Sequence, residues 1–255
     1  MAALIWLHAL VATAVLIGVA LSRVLRAGDV AFWHRVWSAV AFAAVAVFPL
    51  AAGQAIAASV GEGRWALRTA LVIYAAGTSL LCIRLIGGLL LVRRLAARGL
   101  PLEGPWRTRL RAIVGEDADR CRVHPRVQVS MAVGGDTPIV LLPEGWVRWD
   151  DGRVGAVVRH ELAHLDRRDF GWNIVAAVFE ACFWPNPMTW VLTKRMRLLA
   201  ECACDRRAAQ AIGAEAYVTV LIASARELGS GGRGSSRLAP GAATSIEARV
   251  ASLLG

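Results

Sequence analysis

The stretch VVRHELAHLDRRD, Val157–Asp169, decides how the rest of the chain is interpreted. It contains two histidines four positions apart, His160 and His164, with Glu161 directly after the first. On an α-helix, residues four apart lie on one face about 6 Å from each other, so both imidazoles can bind one metal ion. Glu161 is turned by about 100° from His160, where it can reach a water at the metal but cannot be a third ligand. Two surface histidines on a charged helix are the weaker alternative, because H-E-x-x-H arises by chance in fewer than about one such chain in a hundred.

A catalytic zinc ion needs a third protein ligand and one open position. The stretch RLLAECACDRRAA offers Glu201 and Asp205, again four apart on a predicted helix. Glu201 can reach the metal, while Asp205 can hold the far nitrogen of a ligand histidine and thereby fix its tautomer. Cys202 and Cys204 could also bind zinc as thiolates, but they cannot both face the metal that Glu201 faces. We therefore interpret these two cysteines as small packing residues.

A zinc peptidase site usually also contains a hydrogen-bond donor for the oxyanion that develops on the attacked carbonyl of the substrate. Tyr217 and Arg206 are the candidates. Because Tyr217 lies in the apolar helical stretch AYVTVLIA, packing is the more common role for it.

The chain is too apolar for an ordinary soluble domain: 56% of its 255 residues are hydrophobic and its mean hydropathy is +0.50. Three runs reach the roughly 20 apolar residues that a bilayer-spanning helix needs, at 2–21, 36–60 and 67–92. The positive charges behind the net charge of +10 are arginines except for Lys194, and several arginines flank these runs. Arginines in these places are better explained by the orientation of the spans in the membrane than by binding to nucleic acid. We therefore expect no direct binding to nucleic acid.

The arginines also predict the orientation of the three spans. They are concentrated between the first two runs and after the third: Arg23, Arg26, Arg35, Arg93, Arg94, Arg98, Arg107, Arg109 and Arg111. The positive-inside rule then places the N-terminus outside and everything after Val92 in the cytoplasm. Since no basic residue precedes the first run, we expect a retained anchor and not a cleaved signal peptide.

Four segments follow from these patterns. Residues 1–92 form a three-helix transmembrane region, 93–120 a basic cytosolic linker, 121–228 a zinc metalloprotease domain, and 229–255 a flexible linker with a short C-terminal helix from Ser245 to Leu254. A helix from Pro105 to Val114 is predicted inside the linker. Two short strands, in VHPRVQVSMAV and TPIVLLPEGW, precede the histidine helix, which begins after Asp150 or Asp151. The strands form either the edge of a substrate cleft or a structural hairpin.

The apolar stretch Phe170–Leu192 resembles a fourth span, but we predict a re-entrant helical hairpin over 170–200. Its first half has about 14 residues, or about 21 Å of helix, which is shorter than the roughly 30 Å hydrocarbon core. Trp184-Pro185-Asn186-Pro187 then breaks the helix, with Asn186 as the N-cap of the next one. Glu180, near the tip, must face protein or water.

The motifs HELAHLDRRD, FWPNP and ECACD together resemble those of the BlaR/MecR-type membrane metallopeptidases, the antirepressor family of β-lactam sensor-transducers. The resemblance implies a mainly α membrane protein with three transmembrane helices and a cytosolic α+β, gluzincin-like domain. It implies zinc on His160, His164 and Glu201, with Glu161 as the catalytic residue. It also implies the bacterial inner membrane as location and a cytoplasmic DNA-binding repressor as substrate, with self-cleavage within 93–120 as an additional option. Since the chain has no SxxK motif, β-lactam sensing is not expected of it, and either the chain is a fragment or sensing occurs elsewhere.

Two other function classes stay open. One is a membrane quality-control or processing protease of the HtpX/Ste24 kind, which shares H-E-x-x-H and a downstream glutamate; the Ala-Cys-Asp after Glu201 favours the antirepressor family. The other is a non-catalytic signal transducer, which the intact set of candidate site residues disfavours. The expected partners are membrane lipid, the cytoplasmic substrate and, as one option, a second copy in a homodimer.

Overall fold

The computed structural model describes residues 2–24, 30–59, 65–230 and 241–254. The chain is mainly helical, with one small four-stranded sheet. It divides into two compact units. The first unit comprises Met1–Leu91 and Gly171–Leu199, and the second comprises Val92–Phe170 and Ala200–Gly255.

Three long helices begin the chain: α1 (Ala2–Val24), α2 (Val30–Ala58) and α3 (Trp65–Ala97). Among the described residues, two segments are long and apolar enough to cross a bilayer, His34–Ala58 in α2 and all of α3. The first predicted span, 2–21, contains a shorter described apolar stretch in α1, Leu4–Val15. Two predicted spans therefore have the required length and composition, and all three stay predictions. The charged positions at 26 and 64 lie outside the described residues.

The predicted helical hairpin is present as α6 (Asp169–Cys182) and α7 (Pro187–Ile212). Asn186 caps α7, because its Oδ1 accepts a hydrogen bond of 3.0 Å from the backbone N–H of Met188. Apolar side chains of both hairpin helices pack into one core with α1 and α2; its buried members include Val11, Val15, Trp37, Ala41, Phe179, Phe183, Leu192 and Met196. Whether the hairpin enters a bilayer stays a prediction.

The tip of the hairpin is tied to α1 and α3. The side-chain amide of Asn186 donates to the carbonyl of His8 at 3.0 Å, and the indole N–H of Trp184 donates to the carbonyl of Tyr74 at 3.4 Å. The same indole lies against Gly77, where an added Cβ would come within 2.6 Å of the ring. The close packing of Trp184 at the tip therefore requires a glycine at position 77.

Glu180 faces protein, as expected for a carboxylate in an apolar segment. Its Oε1 lies 2.9 Å from Nη2 of Arg197 on α7, and only 14% of its side chain is exposed.

The second unit contains the sheet, formed by β1 (Leu100–Pro101), β2 (Cys121–Val123), β3 (Met131–Val133) and β4 (Ile139–Leu142). The strand order is β1-β2-β4-β3, in which β2 and β4 run parallel and the other two pairs are antiparallel. All four residues of β4 are buried, as is usual for a central strand. β3 lies at one edge of the sheet.

The sequence prediction of one continuous strand through VHPRVQVSMAV is wrong. The chain turns after β2, where Nδ1 of His124 accepts from the N–H of Arg126 and the carbonyl of His124 accepts from the N–H of Val127, both at 3.1 Å. Pro125 follows His124 and has no N–H with which to continue a ladder. The two halves of the predicted strand therefore become β2 and β3.

Residues 93–120 are folded and do not form a simple linker. α3 continues to Ala97, β1 pairs with β2, and α4 (Gly104–Val114) buries Leu110 in a core shared with β4 and with Val154, Val158 and Leu162. The predicted helix within this segment is confirmed, with one additional residue at its start.

The histidine helix is α5 (Asp151–Asp166), with Asp150 as N-cap: its Oδ1 accepts from the N–H of Arg153 at 2.8 Å. α7 ends before Gly213, which has a φ of +91°. α8 (Ala214–Ser230) and α9 (Gly241–Leu254) complete the unit. α9 begins four residues earlier than predicted, while residues 231–240 of the predicted linker lie outside the described residues.

Candidate metal centre

Three side chains from α5 and α7 converge at one point of the second unit. Nε2 of His160 lies 3.1 Å from Nε2 of His164, and Glu201 places Oε2 and Oε1 at 3.5 Å from these two nitrogens respectively. Two donors bound at about 2.1 Å to a tetrahedral zinc ion lie about 3.4 Å apart. The spacing and the chemistry of this two-imidazole, one-carboxylate set therefore fit zinc.

A carboxylate lies behind each histidine. Nδ1 of His160 is 3.0 Å from Oδ1 of Asp205, and Nδ1 of His164 is 2.9 Å from Oδ2 of Asp169. A carboxylate at Nδ1 keeps the proton on that nitrogen, so that Nε2 presents its lone pair to a metal. Asp205 is the residue expected in this role from the sequence, whereas the role of Asp169 was missed.

The turn after α5 explains why Asp169 reaches His164. Arg168 adopts a left-handed conformation with a φ of +58°, and its N–H donates to the carbonyl of Leu165 at 3.0 Å. The chain therefore bends back within a few residues, and Nε of Arg167 donates to the same Asp169 oxygen at 3.1 Å. Burial raises the pKa of Asp169, but the His164 hydrogen bond and the Arg167 charge outweigh it, so the net pKa lies below its ordinary value.

Asp205 is the centre of a buried hydrogen-bond network. The hydroxyl of Tyr217 donates to its Oδ1 at 2.7 Å and lies 2.9 Å from Nδ1 of His160. Nε and Nη2 of Arg249 donate to its two oxygens, each at 2.6 Å. Burial alone would raise the pKa of Asp205, but the Arg249 and His160 hydrogen bonds hold it well below its usual range. Asp205 is therefore an anion with fixed partners on both oxygens.

The two candidate oxyanion donors have other partners. Tyr217 is buried, and its hydroxyl donates a hydrogen bond to Asp205. Burial raises the pKa of Tyr217, so the hydroxyl stays protonated. Arg206 is exposed, and its Nε donates to the carbonyl of Ser252 in α9 at 3.3 Å. Tyr217 thus lies beside His160 and donates its hydrogen bond to Asp205, whereas Arg206 contacts α9.

Arg249 is a second residue that the sequence pattern did not reveal. It lies on α9, and its Nη1 is 3.1 Å from Oε2 of Glu201. No local motif marks it, since 44 positions separate it from Asp205.

Glu161 lies beside the three converging side chains. Burial raises its pKa above the ordinary value, while the neighbouring His160 and His164 and the backbone of Ala132 in β3 act to lower it. A carboxylate with a raised pKa is a better proton acceptor near neutral pH than an ordinary one. Glu161 therefore lies between the candidate metal site and the sheet edge.

The cysteines next to Glu201 are buried thiols. Sγ of Cys204 lies 3.4 Å from Nδ1 of His164 and 3.7 Å from Oδ2 of Asp169. Burial raises the pKa of Cys204, so the group is a neutral thiol that packs behind His164.

Comparison with known proteins agrees with this geometry. The model of the family described as BlaR1 peptidase M56 matches residues 4–251. The regulatory protein BlaR1 of Bacillus licheniformis is 27% identical over 81 residues, which is 32% of this chain and only 14% of that protein's length. Because the family model covers almost the whole chain, including every residue of the candidate metal centre, the chain belongs to the BlaR1 peptidase M56 family.

Proposed function

We propose that the chain is an integral-membrane zinc metalloendopeptidase that cleaves a cytoplasmic transcriptional repressor. The observation that carries the proposal is the convergence of His160, His164 and Glu201, with an oriented carboxylate behind each histidine. Family membership supports a peptidase activity, and the relative's description as a regulatory protein supports a signalling role. The family match also favours this function over an HtpX/Ste24-like processing protease.

The proposed chemistry assigns a separate task to each group. His160, His164 and Glu201 would hold zinc, which when bound would act as the Lewis acid that lowers the pKa of water and polarises the scissile carbonyl. Glu161 accepts the proton of the attacking water and returns it to the leaving amine. Asp205 and Asp169 keep the two histidines in the tautomer that can bind the metal.

The substrate would bind along β3. An extended peptide can add to an exposed strand at the edge of a sheet through main-chain hydrogen bonds. The backbone of Ala132 in β3 is close enough to Glu161 to lower the pKa of that carboxyl. A peptide aligned with β3 would therefore pass close to Glu161.

The proposed topology has three spans in the bacterial inner membrane, with the N-terminus outside and the second unit in the cytoplasm. The apolar helices α2 and α3 support two of the spans, and the arginine distribution supports the orientation. A cytoplasmic active site requires a cytoplasmic substrate, and self-cleavage within 93–120 would be compatible with it.

The decisive variant is Glu161→Gln, which retains shape but cannot accept the proton. Cells producing the wild type should accumulate a cleaved cytoplasmic DNA-binding regulator, detected by proteomic mapping of new N-termini, whereas cells producing Glu161→Gln should not. Both purified proteins should bind one zinc ion, and His164→Ala should lose it. Glu144→Gln changes an exposed glutamate of the same unit and is the matched control.

Three results would contradict the proposal. Cleavage by Glu161→Gln at a near wild-type rate would reject the assigned base. Cleavage that survives a zinc chelator would reject the metal mechanism. New N-termini confined to periplasmic proteins would reject both topology and substrate class.

A further inference from the structure

We infer that Arg249 of α9 is a positioning residue for the metal centre. The proposed metal ligands lie on α5 and α7, so Arg249 acts on the centre from a third helix. The inference rests on the proposed zinc function. It adds a structural requirement: the site needs α9 docked against the second unit.

The guanidinium group of Arg249 binds two carboxylates at once. Nε and Nη2 bind the two oxygens of Asp205 at 2.6 Å each, and Nη1 binds Oε2 of Glu201 at 3.1 Å. A guanidinium presents its donors in a rigid plane, so two carboxylates bound by one arginine are fixed relative to each other. One of them is a proposed ligand, and the other orients the ligand His160.

Arg249 also supplies a positive charge between two carboxylates. Asp205 is completely buried and Glu201 is about one-third exposed, while only 16% of the Arg249 side chain is exposed. Two anions held this close repel each other, and a buried cation that binds both offsets the repulsion. Without Arg249, the carboxylate of Glu201 would be free to rotate away from Asp205 and from the metal position.

Contacts other than those of Arg249 also hold α9 in place. Val250 and Leu253 pack against a small core that contains Tyr217 and Leu221. Arg206 also donates to the carbonyl of Ser252 in α9. Truncating the Arg249 side chain should therefore change the site while α9 stays docked.

The test is the affinity of the full-length, detergent-solubilised protein for Zn²⁺, measured by competition with a chromophoric chelator. Arg249→Ala should weaken binding by about 10–100-fold, the range for residues that orient metal ligands. Arg249→Lys should be intermediate, because it keeps the charge but loses the bidentate geometry. Glu247→Ala, an exposed position on the same helix, should bind zinc as the wild type does.

A double-mutant cycle separates positioning from general destabilisation. If Arg249 acts through Asp205, the losses in zinc affinity of Arg249→Ala and Asp205→Asn should be clearly less than additive in the double variant. Additive losses would overturn the inference. New protease cleavage within 241–254 would show that Arg249→Ala releases α9. In that case the zinc affinity of Arg249→Lys tests the inference, and an affinity equal to that of the wild type would overturn it.

The possible failures are distinguishable. Wild-type protein that binds no zinc would reject the proposed function. If the wild type binds zinc and the alanine and lysine variants of Arg249 bind it with the same affinity as the wild type, the role of Arg249 is rejected. The proposed function then stays intact.

Discussion

Nδ1 of His164 lies 2.9 Å from Oδ2 of Asp169, five positions later and across the turn between α5 and α6. Arg167 donates a hydrogen bond to the same oxygen, so the carboxylate that binds His164 is itself fixed by a second partner. A candidate metal ligand is thus oriented by a residue outside the H-E-x-x-H motif.

Replacing Asp169 by alanine should weaken zinc binding by about 10–100-fold, because His164 would lose the partner that fixes its tautomer. The chelator-competition assay measures this directly. Asp166→Ala is the control, since Asp166 also lies at the end of α5 but pairs with Arg207, at 2.6 Å. Equal zinc affinity of the wild type and Asp169→Ala would show that the turn after α5 has no part in the site.

Tyr217→Phe distinguishes a structural hydroxyl from an oxyanion donor. Because the hydroxyl serves Asp205, its removal should cost about 0.5–1.5 kcal/mol of stability and lower kcat by less than about tenfold. Loss of an oxyanion donor would instead lower kcat by about 10²–10³-fold. Denaturant titration together with kcat for a cleavable peptide separates these outcomes, and a kcat loss in the larger range would restore Tyr217 as a catalytic residue.

Gly77→Ala should destabilise the first unit. The new methyl group would meet the indole of Trp184 at 2.6 Å, which would force the ring off its hydrogen bond to the carbonyl of Tyr74. Gly87→Ala on the same helix is the matched control, because nothing lies within 4 Å of its added Cβ and alanine is the better helix former. Thermal melting in detergent should show a lower Tm for the first variant only; equal melting temperatures would contradict the packing of the tip.

A cysteine at the hairpin turn tests the topology. Pro185 lies at the tip of the hairpin, which the proposed topology keeps away from the outer surface, so Pro185→Cys should stay unlabelled by a membrane-impermeant thiol reagent in intact cells. Ser59→Cys, at the end of α2, should be labelled in intact cells, and Glu103→Cys should behave like Pro185→Cys. Labelling of the unmodified protein gives the background from its own cysteines. Strong labelling of Pro185→Cys in intact cells would mean that the hairpin spans the membrane.

Short-range patterns in the sequence are enough to place the central residues of the candidate site on common helix faces. Helical periodicity alone places His160 and His164 on one face, and it places Glu201 and Asp205 on one face of a second helix. The structure adds their convergence. The break at Asn186 was predictable for the same reason, since capping and proline chemistry are local.

The missed residues depend on features that local patterns do not contain. Asp169 reaches His164 only because Arg168 adopts a left-handed conformation that favours glycine and is unusual for arginine. Arg249 comes from a helix far along the chain, and no spacing rule predicts which arginine will reach Asp205. The single strand predicted from alternating valines failed because the turn at His124 outweighs β propensity over so short a stretch.

If the substrate pairs with the edge strand β3 as proposed, the pairing has a consequence for selectivity. A protease that pairs with the main chain of its target recognises a conformation more than a side-chain sequence, because every extended peptide offers the same amide groups. A helix or a folded core cannot present them. A repressor would then be cut where and when it unfolds locally, and its own stability would set how fast the signal passes.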